Sequence, residues 1–197
     1  MKLRNYMFPL CAMVMFLLSL AAAQDKSDAK STEAPKGFRA DFLTELKDVE
    51  GKILDLAGAM PADKYSWRPM DDVRSVSEVY MHIGGANYLL PTFIGIKAPM
   101  EMKPDMEKTV TDKTKVIEFV KQSFEHIRNA IMNTSDADLD KPAKFFGQET
   151  TVRGVFFKAA NHMHEHLGQS IAYARMNKVV PPWTAAEQAQ AKKDSKK

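Results

Sequence analysis

Thr151-Val152-Arg153-Gly154-Val155-Phe156-Phe157-Lys158-Ala159-Ala160-Asn161-His162-Met163-His164-Glu165-His166-Leu167-Gly168-Gln169-Ser170-Ile171-Ala172-Tyr173 decides how this chain is read. Val155, Ala159, His162, His166, Gln169 and Tyr173 recur at spacings of 4, 3, 4, 3 and 4. That period is one face of an α-helix. Thr150 or Thr151 supplies an N-cap. Asn177 is suited to a left-handed helix end, and Pro181-Pro182 forbids continuation. The stripe carries two histidines among its apolar residues. His162 and His166 lie one helical turn apart, a spacing at which two imidazoles can hold one metal ion. His164 lies about 200° round the helix from each of them and points away. Two imidazoles seldom complete a site, so the rest of the chain is read for a third ligand.

Three more helical stripes lie upstream. Phe38, Phe42, Leu46, Val49, Ile53 and Leu56 mark a helix of about 22 residues that Gly58 and Pro61 end. Ser75 and Glu78 form a capping box that opens a second helix. Its inner stripe is Val76, Val79, His82 or Ile83, Ala86, Leu89 and Leu90. Gly84-Gly85 costs helix propensity, about 1 kcal/mol for each glycine, and would let another element approach closely. Pro91 is expected to kink this helix near Phe93. Val116, Val120, Phe124, Ile127 and Ile131 mark another helix after Asp112, with His126 beside the stripe and read as surface. The segment 61–74 is an aromatic-rich connector, 95–110 a long loop, and 136–149 a loop with a short strand around Lys144 to Phe146. These patterns define an all-α, four-helix bundle.

The ends of the chain read differently. Lys2 and Arg4 precede an uncharged apolar run from Tyr6 to Leu20, then Ala21-Ala22-Ala23. A basic start, an apolar stretch and a small-residue site make a signal peptide over 1–23. The run falls short of the roughly 20 residues that a spanning helix needs. The expected organisation is a signal peptide (1–23), a flexible linker (24–37), the bundle domain (38–184) and a disordered polar tail (185–197). The expected location is exported, periplasmic or secreted, with no stable membrane span after cleavage.

Removing Lys2 and Arg4 with the signal lowers the formal charge from +3 to +1. A nearly neutral domain presents no broad basic face, so nucleic acid is not an expected partner. The single cysteine, Cys11, falls inside the signal. The mature chain therefore has no disulfide, no thiolate nucleophile and no cysteine ligand. Any metal site must use histidine, carboxylate, methionine or backbone groups. His82 is the other histidine on an inward stripe. A bundle can bring it opposite His162 and His166, and three imidazoles would leave positions open for water or substrate.

The sequence resembles the DinB-like (DinB/YfiT) superfamily of four-helix-bundle metalloproteins. The likeness rests on Tyr65-Ser66-Trp67-Arg68-Pro69, on Arg74-Ser75-Val76-Ser77-Glu78-Val79 with Tyr80-Met81-His82-Ile83 and Ala86-Asn87-Tyr88, and on His162-x-x-x-His166-x-Gly168-Gln169 followed by Tyr173-Ala174-Arg175. It covers roughly residues 38 to 184. The resemblance implies a divalent metal ion held by His82, His162 and His166, with zinc, nickel and iron the foremost identities. Relatives include thiol-dependent transferases and isomerases. Leu167 stands where many similar sequences have Arg.

Around these ligands, Gln169 is placed to support a ligand or substrate through a hydrogen bond. Glu78 is a weak candidate for a general base, since capping alone explains it. Trp67 and Tyr88 are read as core residues more than as a pocket wall. Two readings follow: a metal-dependent transferase or hydrolase acting on an unknown small molecule, or a non-catalytic helical domain that a metal stabilises. Copper handling through Met100, Met102 and Met106 is a minor third, since thioethers suit Cu(I) but methionine mostly packs. Related bundles often pair through their helices, which leaves a homodimer open.

Overall fold

The structure is a computed structural model that describes residues 34–196. The expected signal peptide and the linker as far as residue 33 lie outside the described residues. The elements are α1 (Gly37–Ala59), α2 (Val76–Leu89), α3 (Met106–Thr109), α4 (Lys113–Asn133), β1 (Pro142–Phe145), β2 (Gln148–Thr151), α5 (Val152–Met176) and α6 (Pro182–Asp194). The long helices close a ring: α2 packs on α4 and α5, and α1 packs on the same two. This is the expected bundle, with a small hairpin and two further helices added.

Most of the stripes read from spacing form the core, although Leu89, placed on the inner stripe of the second helix, is exposed. Val116, Val120, Phe124, Ile127 and Ile131 of α4 are all buried, as are Phe42, Leu46, Val49, Ile53 and Leu56 of α1. Each such side chain contributes about 1.5–3 kcal/mol by leaving water. Arg39 is buried at the start of α1, where its Nη2 donates to the Met132 carbonyl at 3.2 Å and Nη1 stands 3.6 Å from Asp136.

The start of α2 follows its sequence signature. Ser75 Oγ accepts from the Glu78 amide at 3.3 Å, and the Ser75 amide donates to Glu78 Oε2 at 2.8 Å. Gly84 lets α4 pack close: a Cβ there would stand 2.5 Å from the Phe119 ring. The α2 C-terminus differs from the expected kink. The chain tightens into 3₁₀ turns over Leu90–Ile94, which take in Pro91, and Gly95 closes them at φ 84°. Pro91 has no N–H for the next α-helical bond, so a change of helix type replaces a bend.

Three other expectations are corrected. The 136–149 loop holds a full antiparallel hairpin, Pro142 opposite Thr151 and Phe145 opposite Gln148. Its two-residue turn has Phe146 at φ 48° and Gly147 at φ 81°, the mirror-image geometry that strand twist favours. At the end of α5 the left-handed residue is Lys178 (φ 61°), not Asn177. The Lys178 amide donates to Arg175 O and the Val179 amide to Ala174 O, a Schellman cap one residue further on. The polar tail is not irregular: α6 runs to Asp194 with no buried residue. Pro182 fits its first turn, and Ala, Glu, Gln and Lys carry strong helix propensity, so local preference holds this segment helical without a core. Trp183, half-buried, packs back toward the bundle.

Candidate metal centre

The capping box fixes the phase of α2, which places His82 toward α5 while Ile83 and Gly84 enter the core. On α5 the capping Thr151 accepts from the Gly154 amide at 3.1 Å and sets the phase of the histidine pair. The buried residues of α5 include Ala159, Met163, Leu167 and Ser170. His162 and His166 are half-buried at the border of that stripe, not at its centre as spacing alone suggested. Leu167, one of the departures from similar sequences, is a core residue.

His82, His162 and His166 converge, each offering a ring nitrogen within 4.8 Å of the others. His82 Nε2 and His162 Nε2 are 3.1 Å apart. Two imidazole nitrogens bound at roughly 2.0–2.1 Å to one tetrahedral ion stand about 3.3 Å apart, so the donor set fits a metal. The ring centroids lie 4.5 to 5.0 Å from one another.

Two of the three rings are held from behind. His82 Nδ1 stands 3.1 Å from Glu107 Oε2, and Glu107 Oε1 accepts from Arg74 Nε at 2.5 Å. His166 Nδ1 donates to Gln169 Oε1 at 2.8 Å. Gln169 Nε2 donates to Tyr173 Oη at 3.0 Å, and Tyr173 Oη donates to the Arg74 carbonyl at 3.1 Å. Arg74 thus joins both chains of hydrogen bonds, by its side chain on one side and its carbonyl on the other. Carboxylate or amide partners on Nδ1 turn Nε2 toward the metal position and fix the tautomer. His162 differs: its Nδ1 is buried and meets no hydrogen-bond partner among the described residues.

The electrostatics suit ligation. Burial, with His166, His82 and Arg74 nearby, pushes the His162 imidazolium down to about 4. Burial, then Arg74 and His166, lowers His82 as well, against the opposing pull of Glu107. Neutral imidazoles are the ligating form.

The remaining sequence candidates separate clearly. Gln169, expected to hydrogen-bond a ligand or substrate, accepts from His166 Nδ1. Both oxygens of Glu78 are engaged, Oε2 by the Ser75 amide and Oε1 by Arg68 Nη2 at 2.9 Å. Those contacts hold the Glu78 carboxyl below the usual carboxylate range against its burial. His164 points away, its Nδ1 on the Ala160 carbonyl and its Nε2 2.9 Å from Glu45. His126 is half-buried beside Tyr88, centroids 5.3 Å apart, and not a plain surface residue. Tyr88 is a core residue, while Trp67 packs edge-on against Tyr173 of the supporting chain.

Sequence reading missed Glu107 and Arg74. Arg74 directly precedes the capping box, and α3 presents Glu107 from within the long loop. Two hollows lie beside this centre. One, of about 760 Å³, is lined by His82 and His162, by Met81, Met102 and Phe145, and by Lys158. The other, of about 560 Å³, is polar and includes Arg68, Arg74, Lys108 and Gln169. Glu107 borders both.

Fold and site together define a helical bundle with a three-histidine centre on one flank. Residues 45–170 match the family model of the DinB superfamily, and the chain belongs to that superfamily. Solved structures agree on the fold. A DinB-like protein from Bacillus cereus is 19% identical with a TM-score of 0.66, over 73% of this chain and 95% of its own. A DinB-like protein from Bacillus subtilis is 21% identical with a TM-score of 0.58, over 71% of this chain and 93% of its own. No curated protein matches the chain significantly. Among the described residues, no helix is long and apolar enough to cross a membrane.

Proposed function

We propose that this protein binds one divalent metal ion, with zinc, nickel or iron foremost, through His82, His162 and His166, and that the centre serves a transferase or hydrolase reaction on a small molecule. The observation that carries this reading is the convergence of three imidazoles from two helices on the wall of a large cleft. A bound divalent ion supplies Lewis acidity, which lowers the pKa of a nucleophile and polarises an acceptor group. Glu107 and Gln169 orient the rings of His82 and His166. The apolar wall keeps water from the reacting end of a bound molecule and strengthens electrostatics there. Both oxygens of Glu107 and both of Glu78 are engaged, so each carboxylate serves here as a holding group and not as a free proton acceptor.

The test is elemental analysis of natively purified protein, with His162→Ala beside it. One equivalent of metal in the wild type and loss of it in the variant support the reading. Equal metal content in both, or none in either, removes it. Metal-loaded protein is then screened for thiol transfer and hydrolysis.

One observation favours a second reading, a metal-stabilised domain without catalysis. The supporting hydrogen bonds tie α2, α3 and α5 together, so an ion there stabilises the folded state by selective binding. A rise in melting temperature on loading, with no turnover and no ligand competition, would favour it. We also propose export, on the basis of the basic, apolar and small-residue order of residues 1–23. N-terminal sequencing of protein recovered outside the cytoplasm should begin at Gln24.

A further inference from the structure

The cleft beside the centre has a composition that selects a ligand. Its walls are apolar: Met81, Met102, Met106, Leu90, Phe145 and Ala86 line it. Its volume of about 760 Å³ lies within the range that encloses a drug-sized molecule. Unbranched methionines adapt to flexible apolar chains. Gly85 extends this wall, with Met102 Cε 3.4 Å from where its Cβ would stand.

The polar groups are few. Glu107 is taken up by Arg74 and His82. Glu165, Thr92, Asn161 and a second lysine, Lys103, also line the cleft and are exposed to water. Lys158 is different. It lies four residues before His162 on α5, so it shares the same face one turn away. Lys158 is half-buried, with its Nζ 4.9 Å above the centre of the Phe145 ring. Among the described residues it has no carboxylate partner. A partly desolvated ammonium on an apolar wall gains more from an anion than an exposed one does.

We infer that this cleft binds amphipathic carboxylates, an acyl or arylalkyl body along the methionine and phenylalanine wall with the carboxylate on Lys158. The inference rests on the proposed metal centre for its catalytic meaning, though binding itself does not require the metal. Lys158 is a specificity residue on this view, and the far end of the ligand reaches the histidines.

The experiment measures binding of decanoate, 1-decanol and decylamine by calorimetry, on the protein as purified and after chelation, with metal content determined on the same samples. Decanoate should bind about tenfold more tightly than decanol or decylamine, as a charge-assisted pair implies. Lys158→Met should remove that preference and leave decanol binding unchanged. Lys158→Arg should restore it and shows that the site still folds. Decanoate binding equal to that of decanol, tighter binding of decylamine through Glu165, or an undiminished preference in Lys158→Met would each overturn the inference. So would a preference that chelation abolishes and Lys158→Met does not touch, since the carboxylate would then sit on the metal. Absent metal in every sample, with the Lys158-dependent preference intact, would sink the metal reading and leave this one standing.

Discussion

Helix α2 packs against α4 on one side and α5 on another, and these two seams are built on opposite principles. Toward α4 it is closed. Gly84 admits the Phe119 ring, and Asn87 Nδ2 donates to Ser123 Oγ at 3.2 Å with both residues fully buried. Toward α5 the same helix presents His82, half-buried against His162 and His166, with a cleft alongside. One residue separates His82 from Gly84, yet one seam is closed and the other borders a cleft. The difference shows that a single helix can spend one face on stability and the adjacent face on a site, provided the phase is fixed. Ser75 and Glu78 fix that phase.

The open seam should break first and most. His162→Ala should weaken metal affinity more than the roughly 10–100-fold typical of losing a supporting partner, since a ligand itself is removed. Competition with a chromogenic chelator measures it, and retained affinity would mean that the triad is not the site. Glu107→Gln should cost about 10–100-fold in the same assay by loosening His82, with little change in the melting temperature of the metal-free protein. The closed seam should answer in the opposite way. Gly84→Ala overpacks against Phe119 by about 1–3 kcal/mol and regains about 1 kcal/mol of helix propensity. Chemical denaturation should report a net loss of up to about 2 kcal/mol, with metal stoichiometry per folded molecule unchanged. An unchanged midpoint would show that Phe119 moves aside freely.

Acid sharpens the contrast. His162 titrates near 6.5 when unfolded and at about 4 when folded. The unfolded chain therefore binds the proton first as pH falls, and folding disfavours the charged form. This contribution to metal-free stability is complete above about 6.5 and is lost as pH falls toward about 4. Denaturation midpoints across that window should decline in wild type and flatten in His162→Ala. The smallest effect belongs to His164→Ala. His164 is 40% exposed and pairs with a more exposed Glu45, so stability should change by less than about 0.5 kcal/mol and metal affinity not at all.

Most of the closed seam is legible in the sequence, because core burial imposes the 3.6-residue period directly. Every residue of the α4 stripe, Val116 through Ile131, is buried, and the capping box forms as read. The three histidines that converge in the open seam are legible too, since two share a helix and the third marks a facing stripe. Their supports are not. Glu107 reaches His82 across 25 positions from a four-residue helix inside a proline-containing loop. No local periodicity announces a contact of that kind. The α6 helix escapes notice for the opposite reason: beyond Trp183 it rests on propensity, and polar composition without a buried stripe looks the same in helix and coil.

The unevenness of the histidine supports has a kinetic side. His82 and His166 are each tethered through Nδ1, while the Nδ1 of His162 is held by nothing among the described residues. The triad is thus a vice with two fixed jaws and one that can swing about its own side-chain bonds. An ion would be gripped at equilibrium by all three, yet its exchange rate would be governed by the freedom of one. Supplying a hydrogen-bond partner for His162 Nδ1 would slow both arrival and departure without altering which atoms do the holding.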